Sequence, residues 1–356
     1  MSTALITGSN GFIGSHLVEF LQDRGDVAYA MVRKTSNTKN LDHRTVDYRY
    51  AGLTDVDSLA DAMQGVDVVY HLAGMTAGRA AQDYEAINGQ GTANVLAAAK
   101  KARNGPRKVV YVSSLAAAGP SDHGVPRAEH HTPAPVSIYG RSKASGERAA
   151  HAAAADGAVQ VTIVRPPVVY GPRDEDFLQV IQMANSRLVL VLGFKKAWFS
   201  AVHPHDLVRG IVLAGDKGKH LPSAAESHAL SGGGLSRDTA HDGHHPDGEG
   251  IYFITDGGQY TWAGLGHRAA AALGKKAYTL TIPVTVAYPA ALASEMFGKL
   301  SGKLPIFNRD KVREGSASGW WAAIERARDE LGYVPEMPFD EGIRDTVRWA
   351  RDHGVL

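Results

Sequence analysis

The chain begins with Ala4-Leu-Ile-Thr-Gly-Ser-Asn-Gly-Phe-Ile-Gly14, which is followed by Ser15-His-Leu-Val-Glu-Phe-Leu21. The first residues suit a buried strand, and the apolar residues of the second stretch recur at helical spacing. Gly8 lets the chain reverse, Gly11 permits a pyrophosphate to approach the backbone, and Gly14 lets the helix pack tightly on the sheet. A phosphate would then lie at the helix N-terminus, where free N–H groups favour it. The stretch predicts a dinucleotide site.

A second signal is the pair Tyr139 and Lys143 in Ser137-Ile-Tyr-Gly-Arg-Ser-Lys143. The run after Tyr139 suits a helix, so we expect the phenol and the ammonium on one face, about one turn apart. A free phenol, with a pKa of about 10, is a poor base at neutral pH, but a fixed ammonium nearby favours the phenolate. The pair is a candidate for proton transfer, although the spacing alone is also typical of a solvated helix face.

Five short motifs follow one another along the chain. They are Thr7-Gly-Ser-Asn-Gly-Phe-Ile-Gly14, His71-Leu-Ala-Gly74, Asn88-Gly-Gln-Gly-Thr-Ala-Asn94, Tyr111-Val-Ser-Ser114 and Arg165-Pro-Pro-Val-Val-Tyr-Gly-Pro172. In this order they resemble the extended short-chain dehydrogenase/reductase family, which also contains the nucleotide-sugar epimerases and dehydratases. The resemblance covers most of the chain. The glycines of the first motif are spaced three and three, as in this family, whereas the commonest dinucleotide fingerprint spaces them two and three.

The resemblance implies that Tyr139 is the catalytic acid/base, that Lys143 modifies its pKa and binds the ribose, and that Ser114 hydrogen-bonds the substrate oxygen. Ser113 is a rival, but Ser114 occupies the family's position. As hydride moves between the nicotinamide and a substrate carbon, Ser114 and Tyr139 would stabilise the charge on the oxygen. The implied cofactor-binding residues are Gly8, Asn10, Gly11, Phe12, Ile13, Gly14, Arg33, Lys34, Leu53, Leu72, Ala73, Gly74, Asn88, Tyr139, Lys143, Pro166 and Val168.

The tip of the second predicted strand bears on the choice of cofactor. An acid there would bond the ribose of NAD, whereas a cation accommodates the extra phosphate of NADP. The strand ends in Arg33 and Lys34, which favours NADP over NAD, although solvated surface cations would look the same. After the third strand, Gly52 stands where the family usually has an aspartate. The polar adenine contact is therefore in doubt, while Leu53 is still expected to pack on the ring.

Composition agrees with an enzyme that acts on a small molecule. The 356 residues include 38 Lys and Arg against 37 Asp and Glu, so no nucleic-acid partner is expected. No stretch approaches the roughly 20 apolar residues of a membrane span, and the first strand leaves no room for a signal peptide, so we expect a cytoplasmic protein. The chain has no cysteine, which excludes disulfides and thiolate chemistry.

The alternation of strands and helices predicts an α/β fold, a Rossmann-like doubly wound parallel sheet with a smaller C-terminal substrate lobe. We expect a dinucleotide-binding domain over 1–170, to which 199–215 and 251–256 return, and a substrate lobe over 171–356. Predicted strands are Ala4–Thr7, Ala28–Val32, Val66–His71, Lys108–Ser113 and Gln160–Arg165. Predicted helices are 12–24, 56–64, 82–103 and 137–155. The resemblance implies a homodimer through the last two helices.

Three further features carry expectations. Asp206 is expected to cap a helix rather than to act as an acid catalyst. The segment 216–250 is interpreted as a flexible insertion, and its histidines (His220, His228, His241, His244 and His245) are not expected to bind a metal, because no paired spacing holds them. The apolar run 280–293 is broken by prolines and too short to span a bilayer, so it is expected to line the substrate pocket or to form a surface-associating patch.

The sequence leaves more than one reaction open. In nucleotide-sugar enzymes of the family, the arginine of the fifth motif is usually followed by an aromatic residue and then an asparagine, but here Pro166 and Pro167 follow Arg165. The double proline resembles the branch of dihydroflavonol reductases and 3β-hydroxysteroid dehydrogenases. We therefore favour an NAD(P)-dependent ketone/alcohol oxidoreductase with an apolar substrate. The alternatives are a nucleotide-sugar epimerase or dehydratase and, less favoured because the catalytic residues are retained, a non-enzymatic NADP sensor.

Overall fold

The computed structural model describes residues 1–122, 124–193, 197–226, 247–301 and 308–356. The strands are β1 Thr3–Thr7, β2 Val27–Val32, β3 Asp47–Tyr50, β4 Val68–His71, β5 Lys108–Val112, β6 Gln160–Arg165, β7 Val168–Val169, β8 Leu188–Leu192, β9 Trp198–Phe199, β10 Ala201–Val202, β11 Ile251–Phe253, β12 Tyr260–Thr261, β13 Tyr278–Ile282 and β14 Gly319–Trp320. Within these residues a seven-stranded sheet has the order β11-β6-β5-β4-β1-β2-β3, and each neighbouring pair is parallel.

The order of the strands creates a switch point. The chain runs from β1 through β2 to β3 on one side and then crosses to β4, β5 and β6 on the other. In open α/β sheets, ligands bind at such a reversal, beyond the carboxyl ends of the strands. The glycine turn follows β1 and therefore lies at this point. The predicted Rossmann-like sheet is confirmed.

The helices of the first half are α1 Phe12–Asp23, α2 Val56–Ala62, α3 Ala81–Tyr84, α4 Gly91–Lys101, α5 Leu115–Ala118, α6 Ile138–Ala154, α7 Glu175–Asn185 and α8 Pro204–Lys217. Those that follow are Trp262–Ala272, Val284–Ser301, Arg309–Gly315, Glu325–Leu331 and Phe339–Asp352. The helix predicted over 82–103 is not continuous, because Glu85–Gln90 forms a π-helix between α3 and α4.

Apolar side chains cover both faces of the central sheet. Along β1, Ala4 and Ile6 join a core with α1 and α8, while Leu5 joins a second core with α2, α4 and α6. Both faces are thus buried, which explains why the strands are continuous apolar runs rather than alternating ones. A third core, which includes Tyr170 and Phe339, lies in the C-terminal lobe around α7 and the helices Trp262–Ala272 and Phe339–Asp352.

The expected role of Asp206 as a helix cap is wrong. Helix α8 is capped by His203, whose Nδ1 accepts from the His205 N–H, and Pro204 fills the first helical position. Asp206 is the third residue of α8 and fully buried, and its carboxylate accepts the backbone N–H groups of Glu336 and Met337. Asp206 therefore anchors the C-terminal segment to α8.

The predicted insertion falls partly outside the described residues. In the predicted insertion, residues 227–246 are not described, and they include His228, His241, His244 and His245. His220 is described, and its Nε2 lies 3.4 Å from a carboxylate oxygen of Glu226. Among the described residues, no helix is both long enough and apolar enough to cross a membrane.

Candidate active site

The turn after β1 accepts only glycine at two places. Gly8 has a φ of 69°, and a methyl group there would lie 2.7 Å from the backbone nitrogen of Ala73. A methyl group at Gly14 would lie 2.1 Å from the carbonyl oxygen of Gly8. Helix α1 then begins at Phe12 with no side-chain cap and no acidic residue in its first turn. Its N-terminus is therefore open to an anion.

Asn10 and the two cations after β2 lie beside this turn. The Asn10 side chain donates to the carbonyl oxygen of Asn37 at 2.9 Å, and the Asn10 carbonyl accepts from Asn40 at 3.1 Å, so Asn10 fixes the loop that follows β2. Arg33 and Lys34 are both exposed at the tip of β2, which neighbours β1 in the sheet. They are placed where a ribose 2′-substituent would lie in this fold.

The residues expected around the adenosine come from β4 and the segment after β3. Leu72 and Ala73 follow β4, and the Ala73 N–H donates to Thr7 Oγ1 at 3.0 Å. Leu53 packs its side chain against α4, since a methyl group at Gly91 would lie 3.1 Å from Leu53 Cδ1. At Gly52, no atom lies within 4 Å of the position of an added methyl group, so the space for a longer side chain is present but unfilled.

His71 ties the end of β4 to the π-helical region. Its Nδ1 lies 2.7 Å from Thr7 Oγ1 and its Nε2 lies 3.0 Å from Thr92 Oγ1. Because the Thr92 hydroxyl donates to the Asn88 carbonyl at 2.7 Å, its oxygen is left to accept from His71 Nε2–H. Burial lowers the pKa of His71 to about 3, with a smaller contribution from Lys143, so the ring stays neutral.

Asn88 lies in the π-helix and joins three parts of the site. Its side-chain oxygen accepts from the Met75 N–H at 2.7 Å, and its amide nitrogen donates to the Met75 carbonyl and to Ser142 Oγ, both at 2.9 Å. A methyl group at Gly74 would lie 3.1 Å from Asn88 Oδ1 and 3.8 Å from Lys143 Nζ. Asn88 thus holds the loop after β4 close to α6. Local π-helical turns are frequent at functional sites.

Ser114 and Tyr139 meet at the carboxyl end of β5. Ser114 caps α5, with its Oγ accepting the Ala116 N–H at 3.1 Å, and it lies beside Tyr139. Burial raises the pKa of Tyr139 to about 12, and the neighbouring Ser114 hydroxyl offsets only part of this rise. The rival Ser113 lies beside the Glu147 carboxylate instead.

Lys143 lies one turn along α6 from Tyr139 and is only 4 % exposed. Its ammonium donates to the Val112 carbonyl at 2.8 Å and lies 4.5 Å from the centre of the Tyr111 ring. Burial lowers the pKa of Lys143 to about 7, although nearby Glu147 opposes the change. Contrary to the expectation from the sequence, the phenol pKa is raised, because burial of Tyr139 dominates its surroundings.

A buried ion pair lies behind the three catalytic candidates. Arg165, at the end of β6, donates from Nε and Nη2 to the two carboxylate oxygens of Glu147 at 2.8 and 2.7 Å. Glu147 is one turn beyond Lys143 on α6. Pro166 then accepts the Leu115 N–H at 2.8 Å through its carbonyl, directly beside Ser114, and Val168 continues into β7. The pair and Pro166 together fix α6 and α5 relative to the sheet.

Two acidic residues near Tyr139 were not predicted from the sequence. On the helix Arg309–Gly315, Asp310 accepts the Ile138 N–H at 2.6 Å, and Glu314 lies beside Ser137, the cap of α6. Burial raises the pKa of Glu314, and its charge in turn raises that of Tyr139. The capping sequence at Asn308 signals this helix, but nothing in the sequence signals that it docks on α6.

Taken together, the described residues fit a nicotinamide dinucleotide. The glycine turn and the open N-terminus of α1 are placed to hold a pyrophosphate, with Asn10, Phe12 and Ile13 around it. The residues after β4 and Leu53 are placed to hold the adenosine, and Asn88 and Lys143 lie close to Gly74 in the loop after β4.

The model of the NAD dependent epimerase/dehydratase family matches residues 4–224. Over 365 residues the chain is 28 % identical to the sterol demethylase protein B of Methylococcus capsulatus, with 99 % of this chain and 100 % of that protein covered. It is 27 % identical over 364 residues to a putative dihydroflavonol 4-reductase of Synechocystis, covering 99 % and 95 %. Its fold matches the dTDP-glucose 4,6-dehydratase DesIV of Streptomyces venezuelae, solved with NAD and TYD bound, with a TM-score of 0.72 at 24 % identity and coverage of 98 % and 97 %.

Proposed function

The chain belongs to the NAD-dependent epimerase/dehydratase family, within the extended short-chain dehydrogenases/reductases, and we propose from this that it interconverts a ketone and a secondary alcohol. The hydride would be exchanged with a bound nicotinamide, which supplies the redox chemistry. The residues of the chain would bind the substrate oxygen and move its proton. Ser114 and Tyr139 would bind that oxygen, and Tyr139 would be the proton donor or acceptor.

The observation that carries this proposal is that Ser114 and Tyr139 lie side by side near the buried ammonium of Lys143. Because the pKa of Tyr139 is raised to about 12, the phenol is protonated at neutral pH. It can then donate its proton to a carbonyl oxygen as hydride reaches the carbon, while the Ser114 hydroxyl supports the developing charge.

We propose NADPH as the preferred reductant. The support is the pair of exposed cations Arg33 and Lys34 at the tip of β2, where an acid would favour NAD. A phosphate at this place would be neutralised by two charges at once. Arginine can also bind phosphate through two parallel hydrogen bonds.

We propose an apolar ketone as the substrate class. The segment after Arg165 carries Pro166 and Pro167, so it lacks the asparagine with which nucleotide-sugar enzymes usually hold the diphosphate. The names of two relatives, a sterol demethylase protein and a dihydroflavonol reductase, refer to compounds with fused or linked rings and few charges. A nucleotide-sugar epimerase or dehydratase is the second candidate, supported by the family description and by the likeness to DesIV.

Net consumption of the cofactor separates the two candidates, because an epimerase takes its hydride back. The purified chain would be incubated with NADPH or NADH and a panel that includes a sterol ketone, a dihydroflavonol and UDP-glucose. We expect stoichiometric oxidation of NADPH with the apolar ketones and formation of the corresponding alcohol. Conversion of UDP-glucose without net oxidation would favour the second candidate, and no turnover with either class would refute both. The variant Tyr139→Phe is the control for contaminating reductases.

A further inference from the structure

Seven large apolar side chains are exposed on one part of the C-terminal lobe, and we call them the apolar surface. Strands β8 and β13 and the first turns of the helix Val284–Ser301 supply them. They are Leu190, Tyr278, Leu280, Val284, Val286, Tyr288 and Leu292, with exposed fractions from 36 % at Val284 to 76 % at Tyr278. Scattered single apolar residues on a surface are ordinary, whereas a contiguous group marks an interaction site.

The two-stranded sheet of this surface exposes large apolar side chains. Leu190 pairs with Leu280, and both side chains are exposed. The opposite face packs on the helix Trp262–Ala272, where Val189 is buried and Thr279 hydrogen-bonds His267 at 2.8 Å. A sheet in contact with water usually turns its polar residues outward. Here leucine and tyrosine side chains are exposed instead.

The adjoining helix Val284–Ser301 buries small apolar side chains and exposes large ones. Its buried positions in the first turns are Ala287 and Ala291, one turn apart, which are the smallest apolar side chains available. Val286, Tyr288 and Leu292 are exposed on its other sides. The stretch 284–294 contains no charged residue. A helix that lies on a protein surface in water normally shows the reverse pattern, with large apolar residues inward and charges outward.

Cations border one end of the apolar surface, while at its other end the acid Glu295 is paired with Arg309. Neither 177–205 nor 257–294 contains an aspartate or glutamate, while both contain lysine and arginine. Arg187 and Lys276 are exposed at the beginning of β8 and β13, next to Tyr278. An apolar area bordered by cations is complementary to an anionic lipid surface. It is less complementary to a second copy of itself, which would present the same exposed cations Arg187 and Lys276.

The apolar surface also connects to the candidate active site. The buried Ala287 and Ala291 form a small core with Val312 on the helix Arg309–Gly315. The same short helix carries Asp310, which accepts the Ile138 N–H immediately before Tyr139, and Glu314, which lies beside Ser137. The helix Val284–Ser301 therefore reaches the catalytic tyrosine through one intervening helix.

We propose that the apolar surface docks the protein peripherally on an anionic lipid bilayer. The aromatic rings and aliphatic side chains would enter the region between headgroups and acyl chains, and Arg187 and Lys276 would contact the anionic headgroups. This docking does not depend on the reaction. Its consequence, that an apolar ketone passes from the bilayer to the site, rests on the proposed function.

Vesicle co-sedimentation of the full chain tests the docking. The probes are vesicles of phosphatidylcholine alone and of phosphatidylcholine mixed with phosphatidylserine. We expect the wild type to bind the mixed vesicles and to bind less at high salt. The double variant Leu280→Ser with Val286→Ser should bind about tenfold more weakly. The variant Arg187→Ala with Lys276→Ala should weaken binding to the mixed vesicles only. Val125→Ser, at a residue 51 % exposed outside the apolar surface, is the matched control.

Two results would overturn the proposal. One is a wild type that stays in the supernatant with both kinds of vesicle at low salt. The other is a Leu280→Ser, Val286→Ser variant that binds vesicles as well as the wild type does. If this variant also formed a smaller oligomer than the wild type in light scattering, the surface would be assigned to self-association. Reduction of a water-soluble ketone should be equal in this variant and the wild type. A chain that binds vesicles yet reduces no ketone would refute the proposed function and leave the docking intact.

Discussion

The ammonium of Lys143 donates to the carbonyl oxygen of Val112 at 2.8 Å, so a charged group of α6 is anchored inside the carboxyl end of β5. Ser114, two residues after Val112, and Tyr139, four residues before Lys143, are brought together by this contact and by the buried Arg165 and Glu147 pair. The site is thus built from the end of one strand and the first turns of one helix. Each member can be altered separately.

Replacement of the lysine should change how stability depends on pH. Burial lowers the pKa of Lys143 to about 7 from its ordinary value of 10.5, so between these values the unfolded chain binds a proton that the folded chain releases. The free energy of unfolding of the wild type should therefore rise with pH in this window. Its slope should exceed that of Lys143→Met by up to about 1.4 kcal/mol per pH unit. Urea unfolding across the window measures the difference. Lys34→Met, at an exposed lysine, should keep the wild-type slope.

Removal of the phenol oxygen should abolish most of the turnover. Tyr139→Phe keeps the ring but loses the proton donor, so kcat should fall roughly a hundredfold to ten-thousandfold, while the affinity for NADPH, measured by titration calorimetry, stays nearly unchanged. Ser114→Ala should show a smaller loss of the same kind. The matched control is Tyr278→Phe on β13, at a residue that is 76 % exposed and not among the candidate site residues. Full activity in Tyr139→Phe would contradict the assigned role.

The two cations after β2 should determine the choice of cofactor. In the double variant Arg33→Ser, Lys34→Ser the ratio of kcat/KM for NADPH to that for NADH should drop by about tenfold or more, because charge-assisted hydrogen bonds to the phosphate are lost. Lys39→Ser removes a nearby exposed cation and should leave the ratio as it is. An unchanged ratio in the double variant would show that these residues do not bind the phosphate.

Breaking the buried ion pair should be costly for stability. Glu147→Gln leaves the guanidinium of Arg165, which is fully buried, without its negative partner, and we expect a loss of about 3–5 kcal/mol in the free energy of unfolding. Thermal and chemical denaturation measure this loss. The double variant Glu147→Leu, Arg165→Met removes both charges and should recover much of it. If the double variant were no more stable than Glu147→Gln, the two side chains would not be coupled as proposed.

The extent to which the sequence predicted the molecule differs from element to element. The turn from Gly8 to Gly14 and its helix could be predicted, because local sterics and helical periodicity determine them. The break at 85–90 could not, because an inserted π-helical residue leaves no periodic signal, and Asn88 gains its partners Met75 and Ser142 only in the folded chain.

Other features depended on contacts between distant segments. The role of Asp206 was predicted wrongly because its partners, the N–H groups of Glu336 and Met337, come from the C-terminal part of the chain. Glu314 was missed for the same reason, since its contact with Ser137 joins two helices far apart in sequence. The lowered pKa expected for Tyr139 took account of a neighbouring charge but not of burial, which is a property of the whole fold.

The position of β11 at the edge of the central sheet has a consequence for synthesis on the ribosome. Strand β6 ends at Arg165, but its outer neighbour Ile251–Phe253 emerges only after residues 166–250 have been made. Until then the nascent chain presents a bare row of backbone donors and acceptors, to which a strand of another molecule can pair. Once β11 arrives, Glu129 accepts the Phe253 N–H at 3.1 Å. Chains that stop before residue 251 are therefore expected to aggregate, even though the whole glycine turn and all three catalytic candidates are already present.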